Sequence, residues 1–361
     1  MAANNPYSYL KIFRHKEKLD AIGRGEVTPP LYVRIKPTNA CNHHCYYCSY
    51  GNPEEVKQHV SELRARFNPK DQIAWEIMAA LIKDLGEMTV RAVTFSGGGE
   101  PLLYPYIEEA MRLVLESGID LSVITNGSLL DEGRADILKE AKWVRISMDS
   151  CRRERYGEIR KVKQEMFDKI AANISHFSRI KNPDCELGIN FVITPKNADE
   201  IYDMAVFARD LGVNHIKMCA VIDPDMESVH GPIKGQVLEG IERTRALQEE
   251  HFKVISKYED DLALNAVFER TYRRCPIQQI IPVVAADAKV YVCHDKAYVP
   301  GGELGSLKEK SFQEIWYSEE TRQRFKNFDA RKECRHHCVY DQRNIFINQY
   351  LDLDESQINF I

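Results

Sequence analysis

Short apolar runs alternate with amphipathic segments through the first two thirds of this 361-residue chain. Each run is followed by a longer stretch whose apolar residues recur at helical spacing, a pattern typical of repeated βα units. Such units place their strands in a parallel sheet that is covered by helices. The sequence therefore predicts six strands of one parallel sheet, at residues 31–36, 90–95, 121–124, 143–148, 187–193 and 215–219.

Three cysteines follow the first predicted strand within eight residues. Cys41, Cys45 and Cys48 have the spacing C-x3-C-x2-C. Thiolates are soft ligands, and at this density they indicate zinc or an iron–sulfur cluster. A closed structural zinc site needs four ligands, which would recruit His43 or His44 as the fourth. A cluster held by three thiolates instead keeps one iron open for a ligand that is not protein.

A glycine-rich turn follows the second predicted strand. Three consecutive glycines at 97–99 let the backbone approach a ligand with no Cβ in the way. Taken with the cysteine spacing, the turn resembles the GGEP motif of the radical S-adenosylmethionine (SAM) enzymes, which contacts the methionine amino group of SAM. The resemblance implies that the three cysteines hold a [4Fe–4S] cluster whose open iron binds SAM. The residues of the GGEP motif are Gly98, Gly99, Glu100 and Pro101.

Two further turns resemble elements of the same family. Ser122 and Asn126 lie on and after the third predicted strand, where the family has a TNG element. Ser147 and Asp149 end the fourth strand and resemble the S-x-D element, which implies that they bind the ribose of SAM. The residues alone leave another interpretation open, in which Asn126 lies in a turn and the latter two cap a helix. The resemblance implies a partial (β/α)6 TIM-type barrel with its site at the carboxyl ends of the strands.

Charged residues alternate along several of the predicted strands. Arg34 and Lys36 share one face of the first strand, and Lys217 and Cys219 share one face of the last. Arg145 lies on the same face of the fourth strand as the S-x-D pair. Charges cost less free energy at the mouth of a barrel lumen than in the helix layer, so the pattern predicts a cationic lumen suited to an anionic substrate. Alternatively, these side chains pair or extend to water at the strand ends.

Four more cysteines lie in the last quarter of the chain. The first two bracket apolar runs at 280–286 and 289–292, which predict a β-hairpin, and the last two form a close C-x3-C pair. Four thiols make a closed site for one metal centre, for which zinc is the default. After a radical SAM core they resemble the twitch form of the SPASM extension, which implies one auxiliary [4Fe–4S] cluster. The four are Cys275, Cys293, Cys334 and Cys338.

These features divide the chain into four predicted units. Turn-forming residues at 220–233 mark the end of the core, and a helical segment follows them. We predict a helical leader at 1–30, a radical SAM core at 31–222, a connecting helical segment at 223–270 and a twitch/SPASM-like auxiliary-cluster domain at 271–361.

Composition argues against several classes of protein. The chain is 44% apolar and 29% charged, as is ordinary for a globular protein. Its 49 basic and 54 acidic residues give a net charge of −5, which argues against binding nucleic acid or anionic membranes through a basic surface. No apolar run is long enough for a membrane span, and the N-terminus lacks a signal-peptide core. We therefore predict a cytoplasmic protein whose cysteines bind metal rather than form disulfides.

The resemblance also implies a mechanism. The reduced cluster, supplied by a one-electron donor such as flavodoxin or ferredoxin, cleaves SAM to a 5′-deoxyadenosyl radical that abstracts a hydrogen atom. An auxiliary cluster would accept the second electron, so the predicted enzyme is an oxidoreductase that dehydrogenates its substrate and contains two [4Fe–4S] clusters. A small anionic or sugar-like substrate is favoured, such as a sugar, an aminocyclitol or a nucleotide-linked sugar. The segment before residue 31 is too short for a peptide-recognition domain.

Three alternatives remain at this level. One is modification of a peptide or protein, as by a radical SAM maturase. Another is a redox-neutral epimerase in which Cys219 donates a hydrogen atom, although a buried cysteine is more often a small apolar side chain. The third is an iron or zinc protein that binds without catalysis. Reductive cleavage of SAM to 5′-deoxyadenosine separates the enzymes from the last of these.

Overall fold

The computed structural model of the chain describes residues 6–50, 66–223, 225–265, 269–354 and 356. Within these residues, ten strands form one sheet in the order β10, β9, β8, β1, β2, β3, β4, β5, β6 and β7. The strands are β1 (Tyr32–Ile35), β2 (Ala92–Phe95), β3 (Asp120–Thr125), β4 (Trp143–Ser147), β5 (Glu186–Ile193), β6 (His215–Ala220), β7 (Lys253–Ser256), β8 (Val283–Val284), β9 (Lys289–Tyr291) and β10 (Glu303–Ser306).

The six predicted parallel strands are confirmed as β1 to β6, each paired with the next. A further parallel strand, β7, pairs with β6 in the register His215 to Lys253. It lies in the segment 223–270, which was predicted to be helical, so the sheet extends past the predicted boundary near 220–233. The four-residue run of β7 escaped prediction because charged and polar residues flank it and it is too short for its periodicity to stand out.

Helices connect the parallel strands and pack against one face of the sheet. In the third α-helix, for example, Ile107, Ala110, Met111 and Val114 recur at helical spacing and are all buried. The α-helices of the described chain are α1 (Lys16–Gly23), α2 (Trp75–Glu87), α3 (Ile107–Glu116), α4 (Glu132–Leu138), α5 (Arg153–Arg160), α6 (Glu165–Ile180), α7 (Ile201–Asp210), α8 (Met226–His230), α9 (Lys234–Thr244), α10 (Tyr258–Asn265), α11 (Phe312–Trp316), α12 (Glu319–Asn327), α13 (Ala330–Glu333) and α14 (Asp341–Leu351).

The two faces of the parallel sheet differ in composition. The face toward the helices carries apolar side chains with no exposed surface. The opposite face, which we call the lumen face, carries mostly polar and charged side chains, of which Arg34, Arg145 and Lys217 remain partly exposed while Thr94 and Ser122 are buried. Apolar burial on the helix side therefore supplies the core, while the lumen side is left for other uses. Helix-facing residues include Val33, Val93, Val123, Val144, Ile189, Phe191 and Ile216.

The predicted C-terminal hairpin is confirmed, and it joins the barrel. Strands β8 and β9 are antiparallel, and β8 also pairs in parallel with β1, through Arg34 to Val283. The backbone amide of Lys36 donates to the carbonyl of Val284 at 2.8 Å. Residues 283–306 thus continue the same sheet as residues 32–35, which the division into separate predicted units did not anticipate.

The N-terminal leader, predicted to be helical, contains two helical pieces among its described residues. A 3-10 helix, Tyr9–Arg14, is separated from α1 by His15, whose backbone is not helical. Residues 1–5 of the predicted leader and 355 and 357–361 of the predicted last unit lie outside the described residues. No described helix is long and apolar enough to cross a membrane.

Candidate functional site

The three N-terminal cysteines lie on the loop that leaves β1 at its carboxyl end. Cys41 is exposed, Cys48 is partly exposed and Cys45 is buried. The loop turns tightly, since the amide of Cys48 donates to the carbonyl of Cys45 at 3.0 Å. Burial, together with negative charge on Glu100, Cys45 and Cys48, raises the pKa of Cys41 to about 12. Three thiols are thus collected on one short loop, as a metal cluster requires.

The cysteine loop is fastened to α5 and to β4. The amides of His44 and Tyr46 donate to carbonyls at the end of α5, and Arg160 of that helix donates to the Cys45 Sγ at 3.4 Å. Arg160 also forms an ion pair with Asp149 at 2.6 Å, and both side chains are almost wholly buried. This cation lies where a cluster held by thiolates would carry negative charge.

Asp149 accepts hydrogen bonds from the protein with both carboxylate oxygens. Its Oδ1 accepts from the amide of Val192 at 3.0 Å, and its Oδ2 accepts from the Tyr47 hydroxyl beside the Arg160 ion pair. Burial and the nearby carboxylate raise the pKa of Tyr47 well above its usual value. The carboxylate therefore joins the cysteine loop to strands β4 and β5. The ribose contact predicted for Asp149 stays a prediction, and Ser147 is the partly exposed member of that pair.

The glycine run lies directly against the cysteine loop. A Cβ on Gly98 would meet the Asn39 Oδ1 at 2.3 Å, and one on Gly99 would meet the carbonyl oxygen of Ala40 at 2.0 Å. The amides of Gly99 and Glu100 donate to carbonyls of the same loop, at 3.2 and 2.8 Å. Close approach of two backbones thus requires glycine at this position.

Glu100 of the GGEP motif is buried and bridges two loops. Its carboxylate accepts from the Thr125 hydroxyl at 2.6 Å and from the amides of Asn126 and Leu102 at 2.7 and 3.0 Å. Burial raises the pKa of Glu100, while these three hydrogen bonds oppose the rise. Pro101 then begins the 3-10 helix Pro101–Leu103. The Glu100 side chain therefore orders the turn after β3. The SAM contact predicted for the GGEP motif would then come from the backbone of the motif.

The turn after β3 also reaches the cysteine loop. Asn126 donates to the Asn42 Oδ1 at 2.8 Å, and Asn42 donates to the Ser128 hydroxyl at 2.9 Å. Ser122 lies within the sheet, where its hydroxyl pairs with the Thr94 hydroxyl at 2.5 Å and donates to the Val93 carbonyl. The structure thus brings Asn126 to the site, whereas Ser122 supports the sheet beneath it.

The four C-terminal cysteines come from three separate places. Cys275 precedes the 3-10 helix Pro276–Gln279, Cys293 follows β9, and Cys334 and Cys338 lie between α13 and α14. Burial is the main cause that raises the pKa of Cys293 and of Cys338 well above the usual value. Negative charge on Cys275 and Cys334 raises the pKa of Cys293 further, and negative charge on Cys275 and Cys293 does the same for Cys338. Asn344 donates to the Cys275 Sγ at 3.4 Å. The fold therefore gathers all four thiols within electrostatic reach of one another.

Both cysteine sets fit iron–sulfur clusters by the chemistry of their donors, which are thiols alone, three in one set and four in the other. Among the described residues, no group of three or more His, Cys, Asp or Glu side chains converges closely enough to hold a single metal ion. His43, considered as a fourth zinc ligand, is buried against the Tyr156 ring, and burial lowers its pKa to about 3.

Cys219 lies on the lumen face, as alternation predicts. Its Sγ is 3.6 Å from the Asn190 Nδ2, and its side chain is partly exposed. Burial raises the pKa of the thiol, although the Lys217 cation opposes the rise. A hydrogen-atom donor must reach the substrate as a neutral thiol, which this environment allows, and that role stays a prediction.

Sequence reasoning missed several residues that build this site. Arg160 contacts Cys45 although 115 positions separate them, and nothing in the local sequence distinguishes it from the other arginines of its helix. Asn42 and Tyr47 could have been predicted from the sequence, because they lie between the three cysteines, where side chains necessarily border the cluster.

Two family models match the chain. The radical SAM superfamily matches residues 35–208, and the iron–sulfur cluster-binding SPASM domain matches residues 275–339. These segments contain the two cysteine sets described above. The matches account for the cofactors predicted from the sequence, SAM and [4Fe–4S] clusters.

Known relatives match over about half of this chain. PqqA peptide cyclase of Gluconobacter oxydans is 28% identical over 193 residues, which are 53% of this chain and 49% of that protein. GTP 3′,8-cyclase of Limosilactobacillus fermentum is 33% identical over 192 residues, 51% of this chain and 52% of that protein. The chain thus spans about half the length of each of these curated relatives.

Among solved structures, Streptococcus suis SuiB bound to its precursor peptide SuiA superimposes with a TM-score of 0.61 at 15% identity. The superposition covers 89% of this chain and 72% of SuiB. At this identity the likeness establishes a common fold, one that spans the barrel and the C-terminal domain together.

Proposed function

Because the chain belongs to the radical SAM superfamily and carries a SPASM iron–sulfur domain, we propose that it modifies a peptide or protein by removing a hydrogen atom from an unactivated C–H bond. The observation that carries this proposal is the tandem of barrel and SPASM hairpin in one sheet, since SuiB shares this fold over most of its length and is bound to a precursor peptide. PqqA peptide cyclase, a sequence relative, also has a peptide substrate by name. The small-molecule substrate favoured by the sequence has less support.

Cys41, Cys45 and Cys48 would hold the SAM-cleaving cluster in this proposal. When bound, cluster and SAM together supply the 5′-deoxyadenosyl radical that abstracts the hydrogen atom. The chain itself contributes the geometry. Arg160 places a buried cation at the Cys45 Sγ, and the backbone of the glycine run packs against Ala40, which directly precedes Cys41.

The four C-terminal thiols would hold an auxiliary cluster. Its residues are tied to the barrel by the pairing of β8 with β1, by the Trp316 indole donating to the Thr28 carbonyl at 2.9 Å, and by Asp84 of α2 accepting from the amide that begins α11 at 2.7 Å. A fixed position next to the lumen suits a group that exchanges an electron with the substrate or binds it.

A second candidate is dehydrogenation of a small anionic molecule. One observation favours it: the lumen face carries Arg34, Arg145 and Lys217. The likeness to GTP 3′,8-cyclase, whose substrate by name is a nucleotide, agrees with it.

Transfer of a substrate hydrogen atom into 5′-deoxyadenosine separates the two candidates. Source cells grown in deuterated medium provide a lysate that is divided into a fraction above about 3 kDa and one below it. The reconstituted protein, SAM and dithionite are added to each fraction, and deuterium in 5′-deoxyadenosine is measured by mass spectrometry. A peptide or protein substrate predicts deuterium from the larger fraction that protease treatment abolishes.

Deuterium from the small fraction alone, resistant to protease, would replace the peptide proposal by the second candidate. The Cys48→Ala variant serves as the control, since it should yield no 5′-deoxyadenosine with either fraction. If the wild-type protein forms none either, the enzymatic proposal is wrong.

A further inference from the structure

The register of the sheet aligns the polar side chains of six strands on the lumen face. Arg34 of β1 is opposite Thr94 of β2, and Arg145 of β4 is opposite Gly188 of β5. Lys217 of β6 is opposite Asn190 of β5. Residues paired in register point to the same side of a sheet, so these groups share one face. Arg145 lies within electrostatic range of Lys217, and both Arg34 and Arg145 lie within that range of His294. Solvent reaches this face, because the three cations are partly exposed while their strand neighbours on the other face are buried.

The end of this space nearest the strand starts is closed by the N-terminal segment. The Tyr7 hydroxyl lies 2.9 Å from the His215 Nε2, and His215 pairs with Glu186 at 3.0 Å. The His215 ring fills the room that Gly188 leaves, since a Cβ there would meet its Nε2 at 2.2 Å. The Lys217 Nζ lies 5.3 Å from the Tyr7 ring centre. The lumen cations thus lie between the Tyr7 ring, near the starts of the strands, and the cysteine and glycine loops, at the carboxyl ends of the strands.

Countercharges for these cations are few. Within the described ranges, no carboxylate lies within ion-pair distance of Arg34, Arg145 or Lys217. The Nε atoms of both arginines are buried and have no hydrogen-bond partner among the described residues. Asp261 interacts electrostatically with Lys217, and Asp295 interacts with Lys36 and Arg34. Asp261 already accepts from the Ala220 amide at 3.1 Å, whereas the Asp295 Oδ2 is buried without a hydrogen-bond partner among the described residues.

His294 approaches the same space from the C-terminal hairpin. It follows Cys293 and lies within electrostatic range of Arg34 and Arg145, and its Nδ1 is buried without a partner among the described residues. Buried donors without acceptors cost free energy, of order 1–3 kcal/mol each, unless a ligand satisfies them. Apart from the longer-range influence of Asp261 and Asp295, the three lumen cations therefore have no negatively charged acceptor at ion-pair distance among the described residues.

We propose that Arg34, Arg145 and Lys217 form a binding site for an oxyanion of the substrate, a carboxylate or a phosphate, in the lumen beside Cys219. The site rests on the proposed function, for which it specifies the substrate: a peptide would present an acidic side chain, and a small molecule would present a phosphate. Guanidinium groups bind both oxyanions through paired hydrogen bonds. Binding there would place the C–H bond that reacts between the SAM cluster and the hairpin.

The rate at which Cys219 is alkylated measures the local charge around its thiol, and the measurement does not require the substrate to be known. We compare its alkylation by anionic iodoacetate and by neutral iodoacetamide in the reconstituted protein, with peptide mass spectrometry as the readout. The thiolate is the nucleophile that displaces iodide from either reagent, so the pKa of the thiol cancels in the ratio of the two rates. Cys151 is the internal control, because it is also partly exposed but lies 3.3 Å from the Glu200 carboxylate.

We expect the iodoacetate to iodoacetamide ratio at Cys219 to exceed that at Cys151 by about tenfold or more, as a cationic cleft concentrates anions. Arg145→Met and Lys217→Met should each lower the ratio several-fold. Arg243→Met, which removes an arginine that packs on the Tyr202 ring in the helix layer, should leave it unchanged. Iron content and the thermal midpoint of each variant show whether it has folded.

Competition identifies the oxyanion. Inorganic phosphate or N-acetylglutamate should slow the alkylation of Cys219 by iodoacetamide, and the more effective of the two indicates the substrate class. The proposal is overturned if the ratio at Cys219 does not exceed that at Cys151 in the wild-type protein, or if neither anion protects. Since alkylation needs neither SAM cleavage nor substrate, this outcome is independent of the deuterium-transfer test.

Discussion

The two cysteine sets of this protein are assembled in opposite ways. Cys41, Cys45 and Cys48 lie on one loop of eight residues, and the rest of the barrel packs around that loop. The C-terminal thiols come from a hairpin and two loops, and they meet only because the hairpin extends the barrel sheet. A local set tolerates changes in distant packing, whereas a dispersed set depends on every element that carries a ligand.

Their surroundings also differ in charge. The first set has the buried Arg160 cation against Cys45, balanced by Asp149. The second set has the Asp295 carboxylate nearby, and burial raises the pKa of Asp295 to about 6. Hydrogen bonds and charges near the sulfurs set the reduction potential of an iron–sulfur cluster, so the two clusters are expected to differ in potential.

The largest expected effect comes from the first set. Cys48→Ala removes one of three thiolates, so the cluster that binds SAM should not assemble. Iron in the reconstituted protein should fall from about eight to about four atoms per chain, and 5′-deoxyadenosine should not rise above a control without protein. Cys151→Ala is the matched control and should keep both. Retained SAM cleavage in Cys48→Ala would show that the first cluster is assigned to the wrong residues.

Loss of a ligand in the second set should separate the two sites. Cys334→Ala is expected to lower the iron content by about four atoms while SAM cleavage without substrate continues, because the N-terminal loop does not use this thiol. Cys185→Ala removes a buried thiol that donates a hydrogen bond to the Leu138 carbonyl, and it should leave the iron content unchanged. Unchanged iron in Cys334→Ala would mean that the C-terminal quartet holds no iron–sulfur cluster.

The Arg160 contact tests whether the first set depends on long-range packing. Asp149→Asn leaves the buried Arg160 cation without its countercharge, so the free energy of unfolding should fall by about 3–5 kcal/mol. Urea unfolding under anaerobic conditions measures the change. Asp203→Asn, which loses an exposed ion pair with Arg152, should stay within about 1 kcal/mol of the wild type. An equal effect in both variants would argue against a special role for the buried pair.

The smallest expected effect concerns the glycine run. Gly99→Ala would place a Cβ at 2.0 Å from the Ala40 carbonyl oxygen, so one of the two loops must shift. The expected loss of stability is about 1–3 kcal/mol, with slower SAM cleavage because Cys41 follows Ala40 directly. Gly235→Ala is the control, since no atom lies within 4 Å of the added Cβ. A Gly99→Ala protein with normal stability and cleavage would show that the loops can separate without cost.

Much of the fold could be predicted from the sequence because its signals are local. Strand alternation in β1 to β6, the hairpin of β8 and β9 and the cysteine spacing each arise from residues close together in the chain. Alternation also placed Arg145, Lys217 and Cys219 on one side of their strands, as observed. Strand β7 was missed because its run is too short to stand out from its polar surroundings.

What the side chains do was decided by tertiary structure. Glu100 and Asp149 match family motifs, yet their carboxylates are saturated by protein donors that belong to other strands and loops. Arg160 becomes part of the cysteine site only after α5 docks beside β4, and β8 extends the barrel only when it reaches the edge of β1. The sequence by itself determined the order of elements and the thiols available to metal, since periodicity and spacing are written in neighbouring residues. The partners of each buried charge depend on which distant segments pack together, because a buried charge is stable only where the folded chain supplies its counterion and hydrogen bonds.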